Sequence, residues 1–185
     1  MNALVSRAVF LDRDGVLNKA IVKNGKPFPP SSMADFEIFP NLEGLLKEIK
    51  ALNFLLIVVT NQPDVVRGII SKKVVDQFNF FLQQALPIDE IRVCYHDESD
   101  NCRCRKPKAG SLLSAAVDHN LDLSSSYMVG DRWRDIDAGK KAGCKTIFVD
   151  YKYSEKISAI PDYTVRSSFR ALQLILNIEK SYEKN

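Results

Sequence analysis

Short apolar runs alternate along the chain with longer stretches whose apolar residues recur every three to four positions. Residues 8–11 and 54–59 are unbroken apolar runs, the form taken by strands covered on both faces. After Pro40-Asn41, the spacing of Leu42, Leu45, Leu46, Ile49 and Leu52 predicts a helix. Val74, Val75, Phe78, Phe81, Leu82 and Ala85 predict one side of a second helix, and Leu112, Leu113, Ala116 and Val117 mark a third. A short helix is expected over 135–142, ended by Gly143, and a last one around Leu172, Ile175 and Leu176. Between them 91–94, 127–129 and 146–149 read as strands, with an edge strand at 163–165. Such alternation predicts a three-layer, Rossmann-like, doubly wound α/β fold with a mainly parallel sheet. It is expected to be one domain over 1–185, with no internal repeat. Residues 19–39, rich in glycine and proline, read as a loop long enough to be functional.

Composition changes this picture little. A chain of 185 residues buries roughly 70% of its unfolded surface and needs no disulfide to hold a core. A net charge of +3, with no basic run, gives no reason to expect nucleic acid as a partner. The longest apolar run, 54–59, is far short of the ~20 residues that span a bilayer, so no membrane partner is expected. The first apolar run leads straight into Asp12, Arg13 and Asp14, unlike a secretion signal, so a cytoplasmic protein is expected. No exposed heptad suggests assembly, and a monomer is expected.

The polar residues that follow the strands carry the chemistry. Asp12 follows the first strand, Thr60-Asn61 the second and Asp131 the fourth, so all three sit at carboxyl ends, the edge where open α/β sheets bind ligands. Asp12 and Asp14 can hold Mg²⁺ through oxygen. One of them can attack phosphorus while the other moves the proton. A solvated Asp-Arg-Asp-Gly turn is the competing reading. Further on, Cys94, His96, Cys102 and Cys104 supply an S₃N donor set within eleven residues, which predicts a structural zinc site with no open position. A chance cluster of reduced thiols is the alternative. His119 reads as a helix-end residue, Cys144 as a small core residue, and Trp133 as either a substrate contact or a loop wall.

Four segments together resemble the phosphatases of the haloacid-dehalogenase superfamily: 11–18 (LDRDGVLN), 59–62 (VTNQ), 105–107 (RKP) and 129–131 (VGD) with Asp135. They extend over residues 8–137. The resemblance implies Asp12 as nucleophile and magnesium ligand, and Asp14 as general acid/base with its backbone carbonyl on the metal. It implies Thr60 and Lys106 on the phosphoryl oxygens, Asp131 completing the magnesium site, and Asp135 supporting it. The cysteine cluster ending in Cys104-Arg105-Lys106-Pro107 is similar to the zinc knuckle of one subgroup. That subgroup holds the heptose-1,7-bisphosphate 7-phosphatases and the histidinol-phosphatase domains. It has no large cap domain, so the inserted zinc loop at about 94–107 and the loop at 19–39 would line the pocket. Asn61, Gln62, Arg105 and Arg132 would contact a small sugar phosphate. Arg67-Gly68 and Gly143 favour the heptose enzymes, with histidinol phosphate as the alternative substrate. A zinc-organised interaction module on an inactive scaffold is the alternative from another class. Pro63-Asp64 departs from the usual Ser-Gly and places a carboxylate near the phosphate site.

Overall fold

The computed structural model describes residues 6–182; residues 1–5 and 183–185 of the expected domain lie outside them. Its centre is β1 (Arg7–Leu11), flanked by β4 (Phe54–Asn61) and β6 (Tyr127–Gly130). Outward from these lie β5 (Glu90–Cys94) on one side, and β7 (Lys145–Val149) and β8 (Tyr163–Val165) on the other. The order is β5-β4-β1-β6-β7-β8 and every pairing is parallel. Because the chain winds to one side of β1 and then to the other, the order reverses at β1. That is the point where such sheets open a crevice beyond their carboxyl ends.

Alternation within β1 divides the core. Val9 and Leu11 face α1 (Leu42–Ala51), α2 (Lys72–Ala85) and α5 (Ser168–Tyr182). Ala8 and Phe10 face α3 (Gly110–His119) and α4 (Trp133–Ala142). All four side chains are fully buried, which is why the strand reads as continuously apolar.

Three expectations change. The stretch 19–39 is not loop throughout: β2 (Ile21–Lys23) and β3 (Lys26–Phe28) form an antiparallel hairpin. Asn24 and Gly25 turn it, both at positive φ, as tight hairpin turns require. In α3 the sheet-facing residues are Leu112 and Ala115, whereas Leu113 and Val117 are 47% and 83% exposed. Two overlapping apolar stripes run along this helix, and spacing alone does not choose between them. Phe81, expected on the buried side of α2, is also exposed. Among the described residues no helix is long and apolar enough to cross a membrane.

Candidate active site

The turn after β1 brings the first group in. The Asp12 backbone N–H donates to Val129 O (3.0 Å), tying the nucleophile candidate to the neighbouring strand. Gly15 then adopts φ +97°, and a Cβ there would fall inside the Asp131 carboxylate. Only glycine therefore lets the turn close over that acid. The turn is not a solvated one, for Arg13 is fully buried.

Lys106 organises the centre. It is 2% exposed, and its Nζ lies 2.8 Å from Asp12 Oδ1, 2.6 Å from Asp135 Oδ1 and 2.6 Å from Val59 O. Burial, then the Asp135 charge, pushes the Asp12 carboxyl up to about 6 even with Lys106 opposing. Burial works against the Lys106 ammonium, but Asp12 and Asp135 outweigh it and hold the pKa above the usual lysine value. Burial, then Asp12 and Asp135, raises Asp131 well above the carboxylate range.

Asp12, Asp131 and Asp135 place carboxylate oxygens within 4.8 Å of one another. Asp135 is engaged on both oxygens, by Lys106 and by the Arg132 backbone N–H (3.0 Å). The Tyr153 hydroxyl faces Asp131, yet neither Asp131 oxygen gains a hydrogen bond of normal geometry. A buried, unsatisfied acid beside a second one is the donor set that a hard divalent cation fits, because oxygen ligands and compensating charge are what both lack.

Of the remaining expected residues, Asp14, Thr60, Asn61, Arg105 and Arg132 line one cavity with Asp12 and Lys106, about 620 Å³ in volume, and Gln62 is buried outside that lining. Asn61 holds Lys106 from both sides: its Nδ2 donates to Lys106 O (2.9 Å) and its Oδ1 accepts from Lys106 N (3.1 Å). Gln62 Nε2 donates to Asp14 Oδ2 (2.7 Å) and Thr60 Oγ1 (2.9 Å). Both amides, expected on substrate, thus make bonds within the protein, and only Gln62 Oε1 is left without one. Arg132 pairs with Glu155, while Arg105 is 7% exposed and its Nη1 donates to the His96 carbonyl (3.1 Å). Asp64 accepts from Arg67 Nη1 (3.2 Å), so the unusual carboxylate is matched locally. Arg134, which lines the cavity and pairs with Glu98 (2.7 Å), was not singled out from sequence; neither was Glu155. Nothing local in the sequence links either pair.

The knuckle closes one wall. Cys104 Sγ lies 3.2 Å from Cys94 Sγ, 3.5 Å from Cys102 Sγ and 3.3 Å from His96 Nδ1, and Cys94 Sγ lies 3.6 Å from His96 Nδ1. A tetrahedral zinc with bonds of about 2.3 Å to sulfur needs ligand separations a little under 4 Å. Five of those here run from 3.2 to 3.7 Å, a compact donor set compatible with it. His119 ends α3 and meets Glu90 (2.7 Å), and Cys144 is buried in the core beneath α3 and α4.

A parallel sheet whose switch point gathers Asp12, Thr60, Lys106 and Asp131 defines a HAD-like hydrolase fold, and the family model for HAD-hydrolase-like proteins matches residues 103–169. The D-glycero-beta-D-manno-heptose-1,7-bisphosphate 7-phosphatase of Helicobacter pylori (strain ATCC 700392 / 26695) is 37% identical over 146 residues, 76% of this chain and 81% of that one. The D-glycero-alpha-D-manno-heptose-1,7-bisphosphate 7-phosphatase of Campylobacter jejuni is 36% identical over 152 residues, covering 78% and 82%. The crystal structure of D,D-heptose 1,7-bisphosphate phosphatase from B. bronchiseptica, complexed with magnesium and phosphate, superposes with TM-score 0.79 over 92% of this chain and 98% of that one, at 24% identity. The chain belongs to the HAD-like phosphatase family, in the group of the heptose-1,7-bisphosphate 7-phosphatases.

Proposed function

We propose that this chain removes the 7-phosphate of D-glycero-D-manno-heptose 1,7-bisphosphate, yielding the 1-phosphate and inorganic phosphate. The observation that carries this reading is the buried Lys106 ammonium 2.8 Å from Asp12. It keeps a carboxylate nucleophile and a phosphoryl-binding cation side by side at one sheet edge. The family relationship supports the sugar bisphosphate as substrate, and its relatives act on both anomers by name.

In this mechanism an Asp12 oxygen attacks phosphorus and the bond from phosphorus to the leaving oxygen breaks. Asp14 gives that oxygen its proton. Water then attacks the aspartyl-phosphate, Asp14 takes the proton back, and phosphate leaves with Asp12 regenerated. Thr60 donates to a phosphoryl oxygen, and Lys106 balances the charge that spreads over these oxygens. Asp12, Asp131 and the Asp14 carbonyl would hold magnesium, which supplies further positive charge at the phosphoryl group. Asp135 fixes Lys106. Cys94, His96, Cys102 and Cys104 would hold a zinc whose role is structural, since four protein ligands leave no open position. The hairpin and the knuckle serve in place of a cap, and the described residues act as one domain.

Phosphate release with Mg²⁺ across both heptose 1,7-bisphosphate anomers, histidinol phosphate and simple sugar phosphates tests the substrate. Preference for histidinol phosphate would overturn it. Lys106→Ala is expected to lower kcat/KM about 100-fold, roughly 3 kcal/mol, as loss of other preorganised charge-stabilising donors does. Steady-state kinetics on the preferred sugar phosphate reads this directly.

A further inference from the structure

Arg13 is a buried cation that the mechanism above does not use. Its side chain has no solvent exposure, and it does not line the site cavity. Burying a guanidinium costs several kcal/mol unless it is paired and hydrogen-bonded. The carboxylate it meets is that of Asp14. Arg13 Nε donates to Asp14 Oδ1 (3.2 Å) and Nη2 to Asp14 Oδ2 (3.0 Å), a fork on both oxygens. The other arm, Nη1, donates to Asn79 Oδ1 of α2 (3.0 Å).

The guanidinium cannot easily swing away. It lies 5.9 and 5.4 Å from the ring centres of Phe36 and Phe78, which stack on each other at 4.7 Å. On its other sides Asp14 accepts from Asn18 Nδ2 (3.0 Å) and from Gln62 Nε2 (2.7 Å). Its rotamer is therefore fixed by three residues, and the largest of them is itself fixed from α2.

We propose that Asn79 and the buried Arg13 form a latch that positions the Asp14 carboxyl group against the leaving oxygen. They are positioning residues: neither touches substrate, and both act through Asp14. The inference rests on the reading of Asp14 as acid/base. These donors favour the ionised carboxylate, so the proton that Asp14 gives the leaving oxygen takes the place of the Gln62 bond on Oδ2, while the guanidinium keeps the group aimed. A side chain held within about 0.5 Å of its productive place is what general acid catalysis demands, and such catalysis is worth roughly 10²–10⁴ in rate.

Leaving-group dependence separates positioning from general damage. A sugar alkoxide needs a proton as it departs, whereas p-nitrophenolate leaves without one. The ratio kcat/KM reports only the steps through phospho-enzyme formation, so the later use of Asp14 as base does not intrude. For Asn79→Ala, kcat/KM on heptose bisphosphate should fall about tenfold, and on p-nitrophenyl phosphate less than twofold. Arg13→Met should lose about 100-fold against less than threefold, and Arg13→Lys, which keeps the charge but not the fork, should lie between. Equal losses on both substrates, or no loss on either, would overturn the latch. Asn79→Ala keeps the test alive if Arg13→Met does not fold. Asp14→Asn is the reference. If it fails to discriminate between the two leaving groups, the acid/base reading itself is wrong. If it discriminates and the latch variants do not, only the latch is wrong.

Discussion

Asp12→Asn should abolish phosphate release, by at least about 10⁴-fold on any substrate, as removal of a covalent nucleophile does elsewhere. It should also make the metal-free protein more stable. Wild-type Asp12 shares its buried corner with Asp131 and Asp135, and Lys106 is the cation set against them. Burial and Asp135 lift its carboxyl from 3.8 to about 6. A carboxyl whose folded value lies above its unfolded value binds more protons in the folded state, so its ionised form weakens the fold. The penalty is absent below about pH 4, develops as pH rises through 6, and is complete near neutrality. An amide carries no charge and escapes it. At pH 7.5 without metal, Asp12→Asn should melt about 5 °C higher than wild type, and the gap should close by pH 4. Paired calorimetry across this range, beside a phosphate-release assay, checks both halves. Residual turnover above about 1% of wild type would remove Asp12 from the nucleophile's role.

The sequence made the sheet legible because its strands are buried on both faces, and an apolar run such as 54–59 has few other fates. It also made the sheet-edge acids legible, since each follows such a run. What stayed hidden was set by three-dimensional packing. The hairpin had a local signal in Asn24-Gly25, but the flanking strands are only three residues each and partly charged. The buried face of α3 depended on which stripe met the sheet, where small Ala115 fits and Val117 points away. Nothing in the sequence marks Arg13, because charge predicts exposure. Its burial depends on Phe36, Phe78 and Asn79, residues brought from a distant loop and helix. Likewise Asn61 and Gln62 belong to a phosphate-binding motif by sequence. Only the fold reveals that they brace Lys106 and Asp14.

Stripping zinc should cost both fold and activity, because the knuckle has almost nothing else inside it. Between β5 and α3 the chain forms one short 3₁₀ turn, Glu98–Asp100, which buries nothing, and the buried residues of this segment, Arg105, Lys106 and Ala109, all follow the last cysteine. Its attachments are polar: Arg67 forks Asp97 (2.7 and 2.5 Å), Arg134 meets Glu98, and Ser111 Oγ donates to Cys104 O (3.0 Å). These contacts locate the loop but do not give it a core. Zinc ligation, worth roughly 10–16 kcal/mol in small peptide sites, would supply that core. Lys106 stands two residues beyond Cys104, so an unmoored knuckle releases the ammonium that faces Asp12. Chelation followed by dialysis into excess Mg²⁺ should lower the melting temperature by more than about 10 °C. It should also lower kcat/KM on the sugar phosphate by at least about 100-fold, the value expected for losing Lys106 outright. Zinc, and not further magnesium, should restore both. Cys102→Ala should reproduce the loss with zinc content near zero. If that variant lacked zinc yet kept its melting temperature and its turnover, the metal would have no part in holding Lys106. The Asn61 amide, bonded to both sides of the Lys106 backbone, would then hold it together with the Asp12, Asp135 and Val59 contacts of its ammonium.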